Sequence, residues 1–106
     1  MALTNVDASG SLAVMEMTRE KINELLAYEE EPILLMDDFD AAFLGLTQRI
    51  NEPKLAVYSW AKMVDLLVFR DEMTYEEAVE YIDYNCLGAW VGERTPLIVM
   101  PIEDWA

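Results

Sequence analysis

Histidine is absent from the 106 residues of this sequence, and cysteine occurs only once, as Cys86. The first absence excludes Ser-His-Asp and Cys-His nucleophilic systems and every metal site that uses an imidazole ligand. The second excludes an intrachain disulfide and fits a reducing cytosol. Cys86 lies among acidic residues in the last turn of a predicted helix, where the pKa of a thiol is raised. We therefore expect it to be a small core residue and not a nucleophile.

Long apolar runs and ligand-binding fingerprints are missing as well. No run approaches the ~20 apolar residues that span a bilayer, and no basic segment precedes an apolar core near Met1, so we expect neither a membrane span nor a secretory signal. Gly88 and Gly92 stand four apart, but no lysine follows them as it would in a phosphate loop. Because the chain has 21 acidic residues, any one pair of carboxylates says little about catalysis. We therefore predict no enzymatic activity and no cofactor.

Basic residues are scarce. Seven lysines and arginines stand against 21 aspartates and glutamates, which gives a formal net charge of −14. Such a charge repels nucleic acid and anionic membranes and attracts basic protein surfaces. Two interpretations stay open: an acidic surface that keeps a small protein soluble, or a surface that imitates the phosphates of a nucleic acid.

The length of 106 residues and the 54% share of hydrophobic residues are typical of one folded domain. Residues 1–17 show little hydrophobic pattern and contain small polar residues, which predicts a flexible N-terminal arm. Residues 18–106 are predicted to form a single globular domain. At its end, we expect Trp105 to fold back onto the core, or otherwise to serve as an interface anchor.

The clearest pattern is an amphipathic helix over 74–87. Thr74 and Glu77 have the spacing of a capping box, and Ala78, Tyr81, Ile82 and Asn85 recur on one face, which predicts the core side. Gly88 is expected to end the helix in the left-handed conformation. In the loop that follows, we expect Trp90 to be buried as an anchor, and the apolar run 97–100 to form a buried strand.

Two further helices are predicted over 18–29, capped by Thr18, and over 59–70, capped by Ser59. Their expected inner residues are Ile22, Leu25, Leu26 and Tyr28 in the first helix, and Trp60, Met63, Leu66 and Leu67 in the second. Between them, 33–36 is predicted to be a strand or a segment packed under the sheet.

Residues 42–50 fit both a strand and a helix, and Gly45 weakens the helix. We predict a hairpin of 42–50 with 54–58, since 55–58 is rich in strand-forming residues. Together with the strand at 97–100, the hairpin forms a small antiparallel sheet packed on the three helices. The expected fold class is α+β.

Asp37, Asp38 and Asp40 invite a calcium or magnesium interpretation, but the loop lacks the glycine and the terminal glutamate of an EF-hand. A solvated acidic turn is the better interpretation, so no metal site is predicted. The acids expected to bind a basic partner form three clusters: Glu29, Glu30, Glu31, Asp37, Asp38, Asp40, Glu76, Glu77 and Glu80.

One stretch also carries a resemblance. The residues MTYEEAVEYIDYNCLGAWVGERTP at 73–96, preceded by FDAAFLGLTQR and AVYSWAKMVDLL and followed by LIV, resemble a family of small acidic proteins of bacteriophages and prophages. The resemblance covers roughly residues 37–100. It implies a phage-associated protein in a bacterial cytoplasm, and it implies no reaction and no site residue.

The resulting hypothesis is an accessory protein that binds and inhibits a basic host protein, either a defence protein or one that acts on DNA, as a nucleic-acid mimic. It would bind neither nucleic acid nor membrane directly. One alternative is a homo-oligomeric structural or assembly protein, whose open sheet edges favour self-association. Another is a protein that sequesters a small ligand between subunits, in a pocket formed by Tyr81, Tyr84, Trp90 and Arg94.

Overall fold

The structure, a computed structural model, describes residues 17–100. The first sixteen residues of the predicted arm, and Trp105, lie outside the described residues. Met17, the last residue of the predicted arm, packs against the core. Between residues 17 and 100, no helix has both the length and the apolar composition required to cross a membrane.

Three helices and three strands follow one another along the chain. Their bounds are α1 at Arg19–Leu26, β1 at Phe43–Leu46, β2 at Ala56–Ser59, α2 at Trp60–Phe69, α3 at Tyr75–Ile82 and β3 at Leu97–Val99. A 3-10 turn at Asp40–Ala42 precedes β1, and a π-helical turn at Asp83–Leu87 continues α3. This arrangement confirms the α+β class, the hairpin and the three predicted helices.

The helix starts follow from capping side chains. The hydroxyls of Thr18 and Ser59 each accept a backbone N–H three residues on, at 3.2 Å. At Thr74 the full capping box is present, because Thr74 Oγ1 accepts from Glu77 N at 3.1 Å and Glu77 Oε1 accepts from Thr74 N at 2.9 Å. These bonds satisfy amide groups that a helix leaves without partners in its first turn.

The sheet has the order β1-β2-β3 and is mixed, which corrects the expectation of a wholly antiparallel sheet. β1 and β2 pair antiparallel, whereas β3 pairs parallel to β2. Parallel pairing requires a long crossover connection, and here both α2 and α3 lie between the two strands. The register of the hairpin shifts between Phe43 and Gly45, where Gly45 adopts a φ of 151° that other residues rarely adopt.

One hydrophobic core joins the sheet to the helices. Its buried members are Ile22, Phe39, Ala42, Phe43, Ala56, Tyr58, Met63, Val64, Leu67, Ala78 and Ile82. Tyr58 is fully buried, its ring meets Phe43 edge-on at 5.7 Å, and its hydroxyl accepts a hydrogen bond from Met36 N at 2.9 Å. Burial raises the pKa of Tyr58. The bond to Met36 holds segment 33–36 against the core as a packed segment and not as a strand.

Several expected burials are wrong. Leu25 and Tyr28 are exposed, as are Leu97, Val99 and Met100 around β3. α1 ends at Leu26, one turn earlier than predicted, so Tyr28 leaves the helical stripe and is 89% exposed. β3 lies at an edge of the sheet, where a strand contacts only one neighbour.

The end of α3 also differs from the prediction. Gly88 has a φ of −80°, so it does not adopt the left-handed conformation. A Cβ atom at Gly88 would lie 3.3 Å from the carbonyl oxygen of Asp83, which accepts the Gly88 N–H. Glycine is therefore favoured there because the backbone approaches closely. Trp90, expected to be buried, is 76% exposed.

Candidate functional site

The acids of 29–31 are held by cations from distant parts of the chain. Lys54 Nζ lies 2.9 Å from Glu29 Oε1, and Arg94 Nη2 lies 2.8 Å from Glu31 Oε1. Arg94 also donates to the carbonyl oxygen of Pro32 at 3.3 Å. Two of the three glutamates that follow α1 are thus neutralised within the molecule, while Glu30 between them is exposed.

The acids of 37–40 are held by Arg19. Its guanidinium makes three hydrogen bonds of 2.9–3.1 Å to the carboxylate of Asp40 and one of 2.8 Å to the carbonyl oxygen of Met36. Asp37 lies further off, with its Oδ1 at 3.6 Å from Arg19 Nη2. Hydrogen bonding and attraction to Asp40 raise the pKa of Arg19. A multidentate arginine–carboxylate bond of this kind is strong and directional.

Arg70, directly after α2, clamps the same loop from the other side. It pairs with Asp71 through two 2.9 Å hydrogen bonds and donates to the carbonyl oxygen of Asp38. Its guanidinium also lies over the ring of Phe39, 5.9 Å from the centroid. The hydrogen bonds raise the pKa of Arg70 and lower the pKa of Asp71.

The acidic turn at 37–40 was predicted to be solvated and to hold no metal, and the absence of a metal stays a prediction. Among residues 17–100, no group of three acidic or cysteine side chains is placed to hold a metal ion. The cationic group beside Asp37 and Asp40 is the guanidinium of Arg19.

The outer face of α3 presents a different kind of acidic surface. Its residues are exposed tyrosines and acids, which we call the acid–tyrosine face: Tyr75, Glu76, Glu80, Asp83 and Tyr84. Within the described part of the chain, none of these carboxylates takes part in an ion pair. The last turn of α3 contains no basic residue. Among residues 17–100, negative charge is therefore left uncompensated on this face, as it also is at Glu30, Asp38 and Asp65.

The opposite side of α3 explains why this face is exposed. Ala78 and Ile82 are fully buried against the core, and α3 packs against α2. Helical periodicity then turns Glu76, Glu80 and Tyr84, which are spaced by four, away from the core. Glu77 is also exposed, but its carboxylate is bound to the backbone of Thr74 in the capping box.

Of the four residues of the alternative ligand pocket, Tyr81 and Tyr84 border one groove beside α3, whereas Trp90 and Arg94 do not line it. Tyr81 borders an open cavity of about 380 Å³ between segment 34–39 and the 85–96 loop. Tyr84 borders grooves beside α3, Arg94 contacts Glu31, and Trp90 is exposed. Since the pocket was expected between subunits, it stays a prediction.

The cavity of about 380 Å³ is mostly apolar and includes Cys86, Asn85 and Val91. Asn85, expected on the inner stripe, is exposed, and its Nδ2 donates to the carbonyl oxygen of Tyr81 at 3.1 Å. Cys86 is half-buried, and burial raises the pKa of its thiol. Cys86 also packs against the core, which agrees with the expectation of a small core residue.

The sequence analysis did not identify the exposed tyrosines beside the acids of α3 as a group, although it named Tyr84 as part of the alternative ligand pocket. Their signal in the sequence is the four-residue spacing of Glu76, Glu80 and Tyr84 beside Tyr75 and Asp83. In the sequence, an exposed aromatic residue beside an acid has the same pattern as a buried aromatic residue beside an exposed acid. Only its exposure in the fold separates the two cases.

Comparison of this chain with protein-family models, with curated proteins and with solved structures yields no match. The resemblance to phage proteins, the partner and the place of action therefore stay predictions. What the structure shows is a small α+β domain with two differently organised acidic regions.

Proposed function

We propose that this chain is a phage-associated accessory protein that binds a basic protein of the bacterial host and inhibits it by occupying its nucleic-acid site. The partner is a host-defence protein or a protein that acts on DNA. The place of action is the host cytoplasm.

The observation that carries this proposal is that most basic side chains of the protein are already paired with acids of the same chain. Five of the seven basic residues, namely Arg19, Arg49, Lys54, Arg70 and Arg94, form ion pairs within the chain. Because each of these cations is already paired, most of the excess negative charge has no cation of the chain to balance it. At physiological salt the Debye length is about 8 Å, so neighbouring carboxylates act together on a partner's basic groove.

The test is capture on the immobilised full-length protein from bacterial lysate, at low and at moderate salt, followed by mass spectrometry. We expect a basic nucleic-acid-binding protein that is retained at low salt and released as salt rises. The purified partner should then lose binding to its own nucleic acid when the protein is added. Capture of proteins without basic grooves, or binding that salt does not weaken, would contradict the proposal.

The edge of the sheet supports a second candidate, a homo-oligomeric assembly protein. Leu97, Val99 and Met100 are exposed along β3, whose pairing within residues 17–100 is to β2. An open apolar edge is a site for strand pairing between copies. This candidate predicts an oligomer in light scattering that persists at high salt and dissociates in Val99→Lys.

A further inference from the structure

We infer that the acid–tyrosine face of α3 is a docking surface for an arginine-rich segment of the partner. The inference rests on the proposed function and assigns it a location and a preferred cation. It places recognition on Tyr75, Glu76, Glu80, Asp83 and Tyr84, and not on the acids of 29–40.

The first argument is geometric. Two shallow grooves, of about 310 and 560 Å³, run along the exposed side of α3 and share Glu80 and Tyr84 as lining residues. Tyr75 is 60% exposed and Tyr84 is 78% exposed, one near each end of the face. A partner segment lying along the helix would therefore meet aromatic rings at both ends and carboxylates between them.

The second argument is electrostatic. Glu76 and Glu80 are one helical turn apart, and Glu80 and Asp83 are three residues apart, so like charges lie about 5–6 Å from one another. Asp83 also lies at the C-terminal end of α3, where the helix dipole disfavours a negative charge. This arrangement opposes the stability of the isolated helix, and a bound cation would relieve it.

The third argument selects arginine over lysine. The chain itself contains an arginine in the required setting, since Arg70 binds the carboxylate of Asp71 with two parallel hydrogen bonds and lies over the ring of Phe39. The planar guanidinium satisfies a carboxylate and stacks on an aromatic ring at once, and it is more weakly hydrated than an ammonium group. A face that alternates carboxylates with tyrosines offers both contacts.

The fourth argument disfavours the paired acids of 29–40 as the main contact. Glu29, Glu31 and Asp40 already have cationic partners at 2.8–2.9 Å. A second cation would have to displace Lys54, Arg94 or Arg19 before it gained a full contact. The acid–tyrosine face has no such internal competitor among the described residues.

The experiment measures binding of the full-length protein to two labelled peptides of equal length and charge, one of arginines and one of lysines spaced by glycine. Fluorescence anisotropy gives each Kd at low and at physiological salt, and amide chemical shifts map the contact. We expect the arginine peptide to bind about five- to tenfold more tightly. The largest shifts should lie in 75–84.

Matched variants separate the face from the overall charge. Tyr84→Ala should weaken the arginine peptide about three- to tenfold, Tyr84→Phe should retain its binding, and Tyr28→Ala is the control at an exposed tyrosine elsewhere. Glu80→Gln should weaken binding more than Glu30→Gln, although each removes one exposed carboxylate.

Two results would overturn the inference: equal binding of both peptides, or equal losses in the face variants and their controls. The captured host partner distinguishes this failure from failure of the function. If that partner binds and is sensitive to Glu30→Gln but not to Glu80→Gln, the proposed function survives and this location is wrong. If the arginine peptide binds the face but no basic host protein is captured, the surface stands and the proposed function fails.

Discussion

The two acidic regions of this protein are both rich in carboxylates but have opposite surroundings. In 29–40, the carboxylates of Glu29, Glu31 and Asp40 meet cations that lie 25, 63 and 21 residues away in the chain. On the outer face of α3, the carboxylates of Glu76, Glu80 and Asp83 form no ion pair within the described residues. The difference teaches that a run of acids does not by itself mark a binding surface, because the fold decides which of them are neutralised.

The two regions also differ in what they contribute to folding. The pairs in 29–40 join α1, the loop before β1, the hairpin connection and the loop before β3, so they act as clamps between segments. The acid–tyrosine face joins nothing within the described residues. A residue set that adds repulsion and no internal contact is the better candidate for recognition of a partner.

The largest expected effect separates stability from recognition, and it comes from a substitution on the inner side of α3. Ile82 is fully buried, so Ile82→Ala should lower the free energy of unfolding by about 2–5 kcal/mol. Glu80→Ala, two residues away on the outer side, should change it by less than about 0.5 kcal/mol. Urea unfolding followed by circular dichroism measures both. Similar losses would show that the outer face also holds the fold together.

Next in size is removal of the clamp at Arg19. Arg19→Met should cost about 1–3 kcal/mol, because Asp40 and the carbonyl oxygen of Met36 lose charge-assisted hydrogen bonds in a partly buried setting. Arg49→Met is the matched control, because Arg49 and Glu52 form an ion pair between two exposed side chains. This substitution should cost less than about 1 kcal/mol. Equal effects would remove the distinction between clamping and surface pairs.

A pH series tests the segment that the clamp holds. The pKa of Tyr58 is higher in the folded state than its ordinary value of about 10, because the ring is buried. Its contribution to stability is therefore complete below about pH 10 and is lost as the pH rises through the folded pKa. The midpoint of thermal unfolding should therefore decrease as the pH rises above about 10, and the decrease should be smaller in Tyr58→Phe. A decrease of the same size in Tyr58→Phe would mean that other titratable groups cause the loss of stability at alkaline pH.

The smallest effect has the opposite sign. Glu80→Lys should stabilise the protein by about 0.2–0.5 kcal/mol, because it replaces a like-charge pair with Glu76 by an opposite-charge pair at i,i+4. The same variant should abolish preference for the arginine peptide. Thermal unfolding and peptide binding, measured on one preparation, separate the two consequences. A destabilised variant would mean that Glu80 has a structural contact in the folded protein.

The sequence predicted the parts of this fold that depend on neighbours along the chain. The capping hydroxyls of Thr18, Ser59 and Thr74 start the three helices as expected, since a cap needs only an oxygen and an amide a few residues apart. The hairpin of 42–50 with 54–58 was found for a similar reason. The α+β class followed from these elements.

The predictions about β3 and Trp90 were wrong because these features depend on residues far away in the chain. The direction of β3 and the exposure of Trp90 are set by how α2 and α3 return the chain to the sheet. The close approach at Gly88 is local, since it involves the backbone of Asp83 and Tyr84, and it follows from the π-helical turn that continues α3. An apolar segment such as 97–99 looks the same in the sequence whether it lies at the centre or at the edge of a sheet. Burial is a property of the assembled layers.

By itself, the sequence determined the charge, the absence of histidine chemistry, the helix starts and the strand-forming segments, because each depends on composition or on contacts within a few residues. The tertiary structure alone decided which acids of 29–40 are neutralised. Arg19, Lys54 and Arg94 reach their partners only after loops more than twenty residues long have closed, and no local pattern encodes those meetings. The acids that remain uncompensated on α3 are thus a result of the fold.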